Sequence, residues 1–314
     1  MKQINNIINR ERPLLDMAFL PDHNTVCEVI RILDSRYSFL SVTGIGESVL
    51  SKKIHMMTIG NPKAEKSILY VGAHHGAEWM TTLILLRFVN ELCEYYKASK
   101  QPFGINLVSM LNTRCLRIVP CLNPDGVDLR LYGVERDCIL YERLLKMSGG
   151  DFSNWKANAR GVDLNHNYDA GFLRYKELER ENDIQPGPTR YSGDYPLSEP
   201  ETHALASYIR YDSSLQMILT LHTEGEEIYC SDGGRDNKRV VRIGKKLAAL
   251  SGYRLTEPEG LASYGGLTDW YIKEFSRPAF TIECGKSGTT QNEKNYFNVY
   301  ASIREMLLWA PLLI

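Results

Sequence analysis

The chain reads as an α/β protein, a single-domain α/β/α sandwich around a mixed, largely parallel central sheet. Three observations predict this. Short apolar runs, Ile68-Leu69-Tyr70-Val71, Met217-Ile218-Leu219-Thr220-Leu221 and Ala279-Phe280-Thr281-Ile282, recur along the chain and have the length of strands rather than helices. Stretches with apolar residues at helical spacing separate them, and such alternation argues for strands covered by helices. His75, His222 and Glu283 stand at or just past the ends of those runs, where open α/β sheets collect their ligands.

Taken in order, residues 1–36 look helical, with a loop around Pro21-Asp22-His23-Asn24 and helical spacing over Thr25–Leu33. Two strands follow, Tyr37–Thr43 and Lys53–Ile59, joined through Gly44-Ile45-Gly46-Glu47-Ser48. A strand over Ser67–Ala73 delivers His74 and His75, and a long helix runs from near Glu78 to about Ala98. Strand Leu116–Cys121 ends in Asn123-Pro124-Asp125-Gly126, a turn signal. Residues 148–200 are rich in Gly, Asn, Asp and Pro, and so long an irregular stretch usually carries function. Ser198 and Pro200 introduce a helix over Glu199–Tyr211. Strand Leu215–Leu221, helices at about Asp236–Leu250 and Leu267–Phe275, strand Arg277–Glu283 and helix Tyr296–Trp309 complete the chain.

With 314 residues the chain is long enough for one large domain. A net charge of -1 creates no global field toward nucleic acid or an acidic membrane, so neither is expected as a partner. Polar residues interrupt the N-terminus too often for a signal peptide. The apolar run Met80–Leu86 meets Arg87 too soon to span a membrane. Seven cysteines form no CxxC pair and are odd in number, which favours a reducing compartment and a cytoplasmic location.

His75-Gly76-Ala77-Glu78 places a histidine and a carboxylate three residues apart directly after a strand. An HxxE pair alone is weak. Together with His222 it offers two histidines and one carboxylate, the donors of many catalytic zinc sites. Glu283 closes an apolar strand, and burying a carboxylate without a partner is costly; a carboxylate near the attacking water can serve as its base.

These residues carry a family resemblance. From about Gly44 to the end the chain resembles the zinc carboxypeptidases of the M14 superfamily, for which carboxypeptidase A is a standard example of His₂Glu zinc ligation. The matching pieces are Ile45–Leu50, His75–Trp79, Asn123–Gly126, Gly161–Asn167, Leu221-His222, Gly265-Gly266 with Asp269-Trp270, and Phe280–Glu283. The resemblance implies a 44–314 catalytic domain carrying a 1–43 helical and strand extension. It implies one Zn²⁺ held by His75, Glu78 and His222, with Glu283 as general base. It places Lys156 opposite the developing oxyanion where the family uses arginine, with Arg160 as fallback. His74, next to a ligand but on the other face of an alternating strand, is expected to be structural.

Departures bear on substrate. The family's carboxylate-binding Asn-Arg pair reads Asn165-His166 here, and histidine cannot bind a carboxylate bidentately. Arg174 or Arg190 could supply the missing cation. Counting back without gaps from Asp269-Trp270 puts Leu261 at the family's active-site tyrosine, and a small shift in loop length gives that role to Tyr264 close by. Thr268 matches the floor of the specificity pocket. The segments Leu221–Tyr229, with Glu224 at its middle, and Trp155–Asn165 are similar to the bacterial γ-D-glutamyl-meso-diaminopimelate peptidase I type. That similarity implies hydrolysis of peptidoglycan stem peptides, with Glu224 a contact for a substrate amine or a solvated loop charge. No wall-binding module is visible, so the expected partner is a free peptide or muropeptide. Two alternatives stay open: a general metallocarboxypeptidase, and a zinc-binding protein that holds peptides without cleaving them.

Overall fold

Ser67–Val71 (β3) is buried at every position, the pattern of a strand covered on both faces. The same reasoning builds the rest of the sheet in the computed structural model, which describes residues 19–230, 237–258, 260–288 and 295–314. Expected helical residues 1–18, and Asp236 at the start of a later helix, lie outside the described residues.

The other strands are Leu40–Glu47 (β1), Lys53–Gly60 (β2), Cys115–Val119 (β4), Leu215–His222 (β5), Glu227–Tyr229 (β6), Arg254–Thr256 (β7) and Ala279–Glu283 (β8). They form one sheet in the order β1-β2-β4-β3-β5-β8-β6-β7. Its centre, β4-β3-β5-β8, is parallel; β1 and β2 pair antiparallel on one side, and β6 is antiparallel to β8 on the other. The sheet is therefore mixed and largely parallel at its core, as expected.

Alternate strand residues feed two apolar layers. Ile68, Tyr70, Ile118, Leu219 and Phe280 pack with His23–Arg36 (α1), Met80–Lys97 (α2), Leu107–Thr113 (α3), Lys238–Ser251 (α8) and Tyr296–Trp309 (α10). Leu69, Val71, Val119 and Ile218 face the opposite layer with Pro200–Tyr211 (α7) and Leu267–Phe275 (α9). Among the described residues no helix is long and apolar enough to cross a membrane.

Three sequence expectations need correction. The first strand begins at Leu40, not Tyr37, because Tyr37 caps α1 through its backbone N–H to Leu33. Asn123-Pro124-Asp125-Gly126 is a helix start rather than a turn. Asn123 Oδ1 accepts from Gly126 N at 2.8 Å and Pro124 opens Pro124–Tyr132 (α4); cap and first-turn chemistry use the same residues as turns. The irregular 148–200 stretch, which begins where the short helix Tyr141–Ser148 (α5) ends, holds one full helix, Phe172–Glu181 (α6).

Two local devices fix the chain beside the future site. Gly76 lies so close to α4 that a Cβ there would meet Gly126 O at 2.1 Å, so only glycine fits. Behind it, Asn123 Nδ2 donates to the carbonyls of His74, Lys156 and Ala157 at 3.0, 3.2 and 3.1 Å. A second knot lies beneath the 156–160 loop. There Asn158 Nδ2 donates to Glu199 at 2.7 Å and to Glu201 at 3.2 Å, and Glu201 Oε1 accepts from Val49 N at 3.1 Å. Glu201 is fully buried, and burial, reinforced by Asp125, pushes its carboxyl up to about 8.

That raised value makes a stability prediction. Below the ordinary glutamate range both states hold the proton and Glu201 adds no pH dependence. As pH rises toward about 8 the unfolded chain releases the proton while the folded chain keeps it, so this group's share of stability is lost. Chemical denaturation of Glu201→Gln and the parent across pH 5 to 8 should show the variant gaining relative stability with pH. A difference that stays flat contradicts the buried, protonated carboxyl.

Candidate active site

β3, β5 and β8 lie side by side and end at the same edge, and His222 and Glu283 are register partners. Beyond β3 the chain turns sharply. Thr81 Oγ1 accepts from Ala73 N and donates to Glu78 O, both at 2.8 Å. This clamp closes the short turn Gly76–Glu78 and points the Glu78 carboxylate back at His75.

The result is a tight convergence. His75 Nδ1 lies 2.8 Å from Glu78 Oε1, His222 Nδ1 lies 2.9 Å from Glu78 Oε2, and the two Nδ1 atoms are 3.3 Å apart. All three residues are buried, and they are the group suited to a metal ion among the described residues. Two imidazole nitrogens each bound to one tetrahedral zinc would stand roughly 3.3 Å apart, given Zn–N bonds of about 2.0–2.1 Å. The donor set and its spacing therefore fit zinc.

The opposite ring nitrogens are held. His75 Nε2 meets Asp163 Oδ1 at 2.9 Å. Asp163 is held far below the ordinary carboxylate range: burial opposes this, but His75, His166 and the Arg190 N–H outweigh it. An ionised carboxylate only accepts, so Nε2 carries the hydrogen and Nδ1 faces the donor triangle. His222 Nε2 reaches Thr220 Oγ1 at 3.3 Å, and the same hydroxyl reaches His74 Nδ1 at 3.2 Å. His74 is buried, bonds Tyr168 Oη at 3.2 Å, and its ring stacks on that of His222. It points away from the donor triangle but supports His222 from behind, a closer tie to the site than a purely structural histidine.

Charge in the triangle is tightly balanced. Burial works against Glu78 ionising, yet His75, Lys156 and His222 hold its carboxyl well below the usual range. Burial lowers His75, but Glu78 and Asp163 reverse this and push it up to about 10. A proton on His75 and a divalent ion compete for one lone pair, so ion binding there releases a proton. Burial lowers His222.

These residues open into a cavity of about 480 Å³. Glu283 faces it, pushed up to about 8 by burial and then by Glu78. Lys156 lines it too, with Nζ 2.7 Å from Glu78 Oε1. The fallback Arg160 pairs with Glu199 at 3.5 Å and does not line the cavity.

The other expected residues divide. Asn165, His166, Thr268 and Glu224 all line the cavity. Asn165 Oδ1 accepts from Leu267 N at 3.3 Å, Thr268 Oγ1 contacts Thr281 Oγ1 at 3.3 Å, and Glu224 accepts from Gly288 N. Leu261 lines the cavity, and Tyr264 does not. The Tyr264 ring packs over Gly171, and only its carbonyl serves the site, accepting from His166 Nδ1 at 2.8 Å. Of the two loop cations, Arg190 lines the cavity, whereas Arg174 pairs with Glu177 outside it. Asp163 was missed as a functional residue. It sat inside the noted Gly161–Asn167 segment, but its partner is 88 residues away.

Comparison with known proteins agrees with this geometry. A sequence profile described as zinc carboxypeptidase matches residues 26–302. The chain is 35% identical over 272 residues to a γ-D-glutamyl-L-diamino acid endopeptidase 1 from Lysinibacillus sphaericus; the match covers 85% of this chain and 66% of that protein's length. In structure it is similar to bovine thrombin-activatable fibrinolysis inhibitor in complex with tick carboxypeptidase inhibitor, with TM-score 0.71, 17% identity, and 94% and 96% of the two chains covered. It is also similar to the murein-tripeptide amidase MpaA of Escherichia coli O157, with TM-score 0.51, 20% identity, and 84% and 92% covered. The His₂Glu convergence at the strand ends and a profile match over most of the chain lead to one conclusion: the chain belongs to the zinc carboxypeptidase family and is a metallopeptidase whose cofactor is a single zinc ion.

Proposed function

We propose that the chain hydrolyses the γ-D-glutamyl–meso-diaminopimelate bond of peptidoglycan stem peptides, with His75, Glu78 and His222 as zinc ligands. The observation that carries this reading is the buried, stacked His166 standing where a C-terminal peptidase needs a bidentate arginine. Burial depresses the His166 imidazole, its Nδ1–H is committed to Tyr264 O, and its ring lies flat on Tyr175 with centroids 4.0 Å apart. An ordinary C-terminal carboxylate finds no charged fork at that residue. Support also comes from the name of the Lysinibacillus relative, a γ-D-glutamyl-L-diamino acid endopeptidase.

In this reading each side chain has one task. Bound zinc supplies Lewis-acid polarisation of the scissile carbonyl and acidifies the attacking water. Glu283 takes that water's proton on its carboxylate and returns it to the leaving nitrogen. Burial and the neighbouring Glu78 charge raise its carboxyl in the metal-free protein, and a divalent ion beside it would favour the carboxylate form that accepts the proton. Lys156 Nζ supplies positive charge to the carbonyl oxygen as it becomes anionic. Asp163 fixes the His75 ring and tautomer through Nε2. Thr268 gives the cavity floor a small hydroxyl, and Glu224 and Asn165 offer polar contacts to the substrate.

Two experiments test the reading. Zinc-loaded enzyme offered L-Ala-γ-D-Glu-meso-diaminopimelate and a simple C-terminal peptide should turn over the first with the higher kcat/KM; the reverse preference makes it a general carboxypeptidase. In the same assay Glu283→Gln should lower kcat by roughly 10²–10⁴-fold while zinc stays bound, and an unchanged kcat removes Glu283 from the mechanism. Asp163→Asn should weaken zinc binding by about 10–100-fold in a competitive chelator titration. Parent-like affinity would show that the His75 ring is held by other means.

A further inference from the structure

We infer that Arg190 is the specificity-determining anion clamp of this site and binds a substrate carboxylate in place of the arginine that His166 displaced. The inference rests on the proposed substrate class and adds a residue to it.

Among the described residues, Lys156 and Arg190 are the lysine and arginine that line the cavity. Lys156 is engaged with Glu78 at 2.7 Å. Among the described residues the Arg190 guanidinium has no ion-pair partner, and the residue is exposed to the cavity.

Its backbone, by contrast, is tied down at both ends. Arg190 N donates to Asp163 Oδ2 at 3.1 Å, and Arg190 O accepts from Tyr175 Oη at 2.9 Å. Between these bonds the residue adopts φ 70°, a left-handed conformation unusual for a non-glycine residue and of the kind that gathers at functional sites.

Those two tethers also serve the site directly. Asp163 holds the His75 ring through its other oxygen, and Tyr175 is the platform on which His166 stacks. The arginine is therefore fixed to both the ring that faces the metal triangle and the histidine that lacks the charge. A guanidinium presents a planar fork suited to carboxylate. The proposed substrate carries carboxylates on both sides of the scissile bond, on the D-glutamyl and the diaminopimelyl residues.

The test pairs Arg190→Met and Arg190→Lys with a substrate set. The set is L-Ala-γ-D-Glu-meso-diaminopimelate and analogues in which one carboxylate at a time is a carboxamide. Zinc content and Tm of both variants should match the parent. On the parent substrate Arg190→Met should lose about 10–100-fold in kcat/KM, chiefly through KM, as loss of a charged hydrogen-bond pair predicts; Arg190→Lys should recover part of it. On one analogue, the one lacking the clamped carboxylate, parent and Arg190→Met should become equal, which also identifies the side of the bond. An equal loss on every analogue, or no loss on any, overturns the clamp. If the parent enzyme fails to cleave the muropeptide at all, the proposed substrate falls. The clamp is then read from a simple C-terminal peptide as free acid and amide, where the same equalisation or its absence decides.

Discussion

A carboxylate buried between two imidazoles at the end of a parallel sheet demands positive charge, and this demand organises the site. Glu78 is almost fully buried, where an uncompensated charge is prohibitively costly. The protein surrounds it with His75, His222 and Lys156. Two of those partners are neutral in their ordinary form, and their facing nitrogens lie 3.3 Å apart. A cation between them resolves the arrangement; in its place a proton on His75 and the Lys156 ammonium keep the metal-free protein balanced. Asp163, Thr220 and His74 make sense as outer supports of that one triangle.

The scaffold makes the triangle inexpensive to build. Adjacent strands β3, β5 and β8 end at one edge, so His75 with Glu78, His222 and Glu283, distant in sequence, face one cavity without long loops. Gly76 against Gly126, and Asn123 across three carbonyls, then hold the 156–160 loop beside the strand ends. The remaining cavity walls come from residues 165–190 and from the segments around Glu224 and Thr268.

How much of this was legible follows from the range of each signal. Strand ends were readable because fully buried strands are short apolar runs, and α9 and α10 were bounded correctly at Leu267–Phe275 and Tyr296–Trp309. The donors His75, Glu78 and His222 were readable because strand-end position narrows what a histidine or carboxylate is doing there. α4 was misread because an Asn-Pro start is common to turns and helices. α6 was hidden by its polarity, although Phe172, Tyr175 and Glu179 bury one face. Asp163 lay inside the matched Gly161–Asn167 segment and Arg190 was one of two candidate loop cations, but nothing local to either names its partner. Their roles arise from contacts across the fold, to His75 and to Tyr175, that no window of sequence contains. The choice between Leu261 and Tyr264 depended on loop length, which pattern alone does not set.

The central claim is that one zinc ion sits among His75, Glu78 and His222. Anomalous diffraction from crystals of the zinc-loaded protein, collected on both sides of the zinc absorption edge, measures this directly. The account predicts one strong peak within about 2.0–2.2 Å of both Nδ1 atoms and a Glu78 oxygen. A peak elsewhere, or no peak in this triangle from crystals grown with excess zinc, would contradict it.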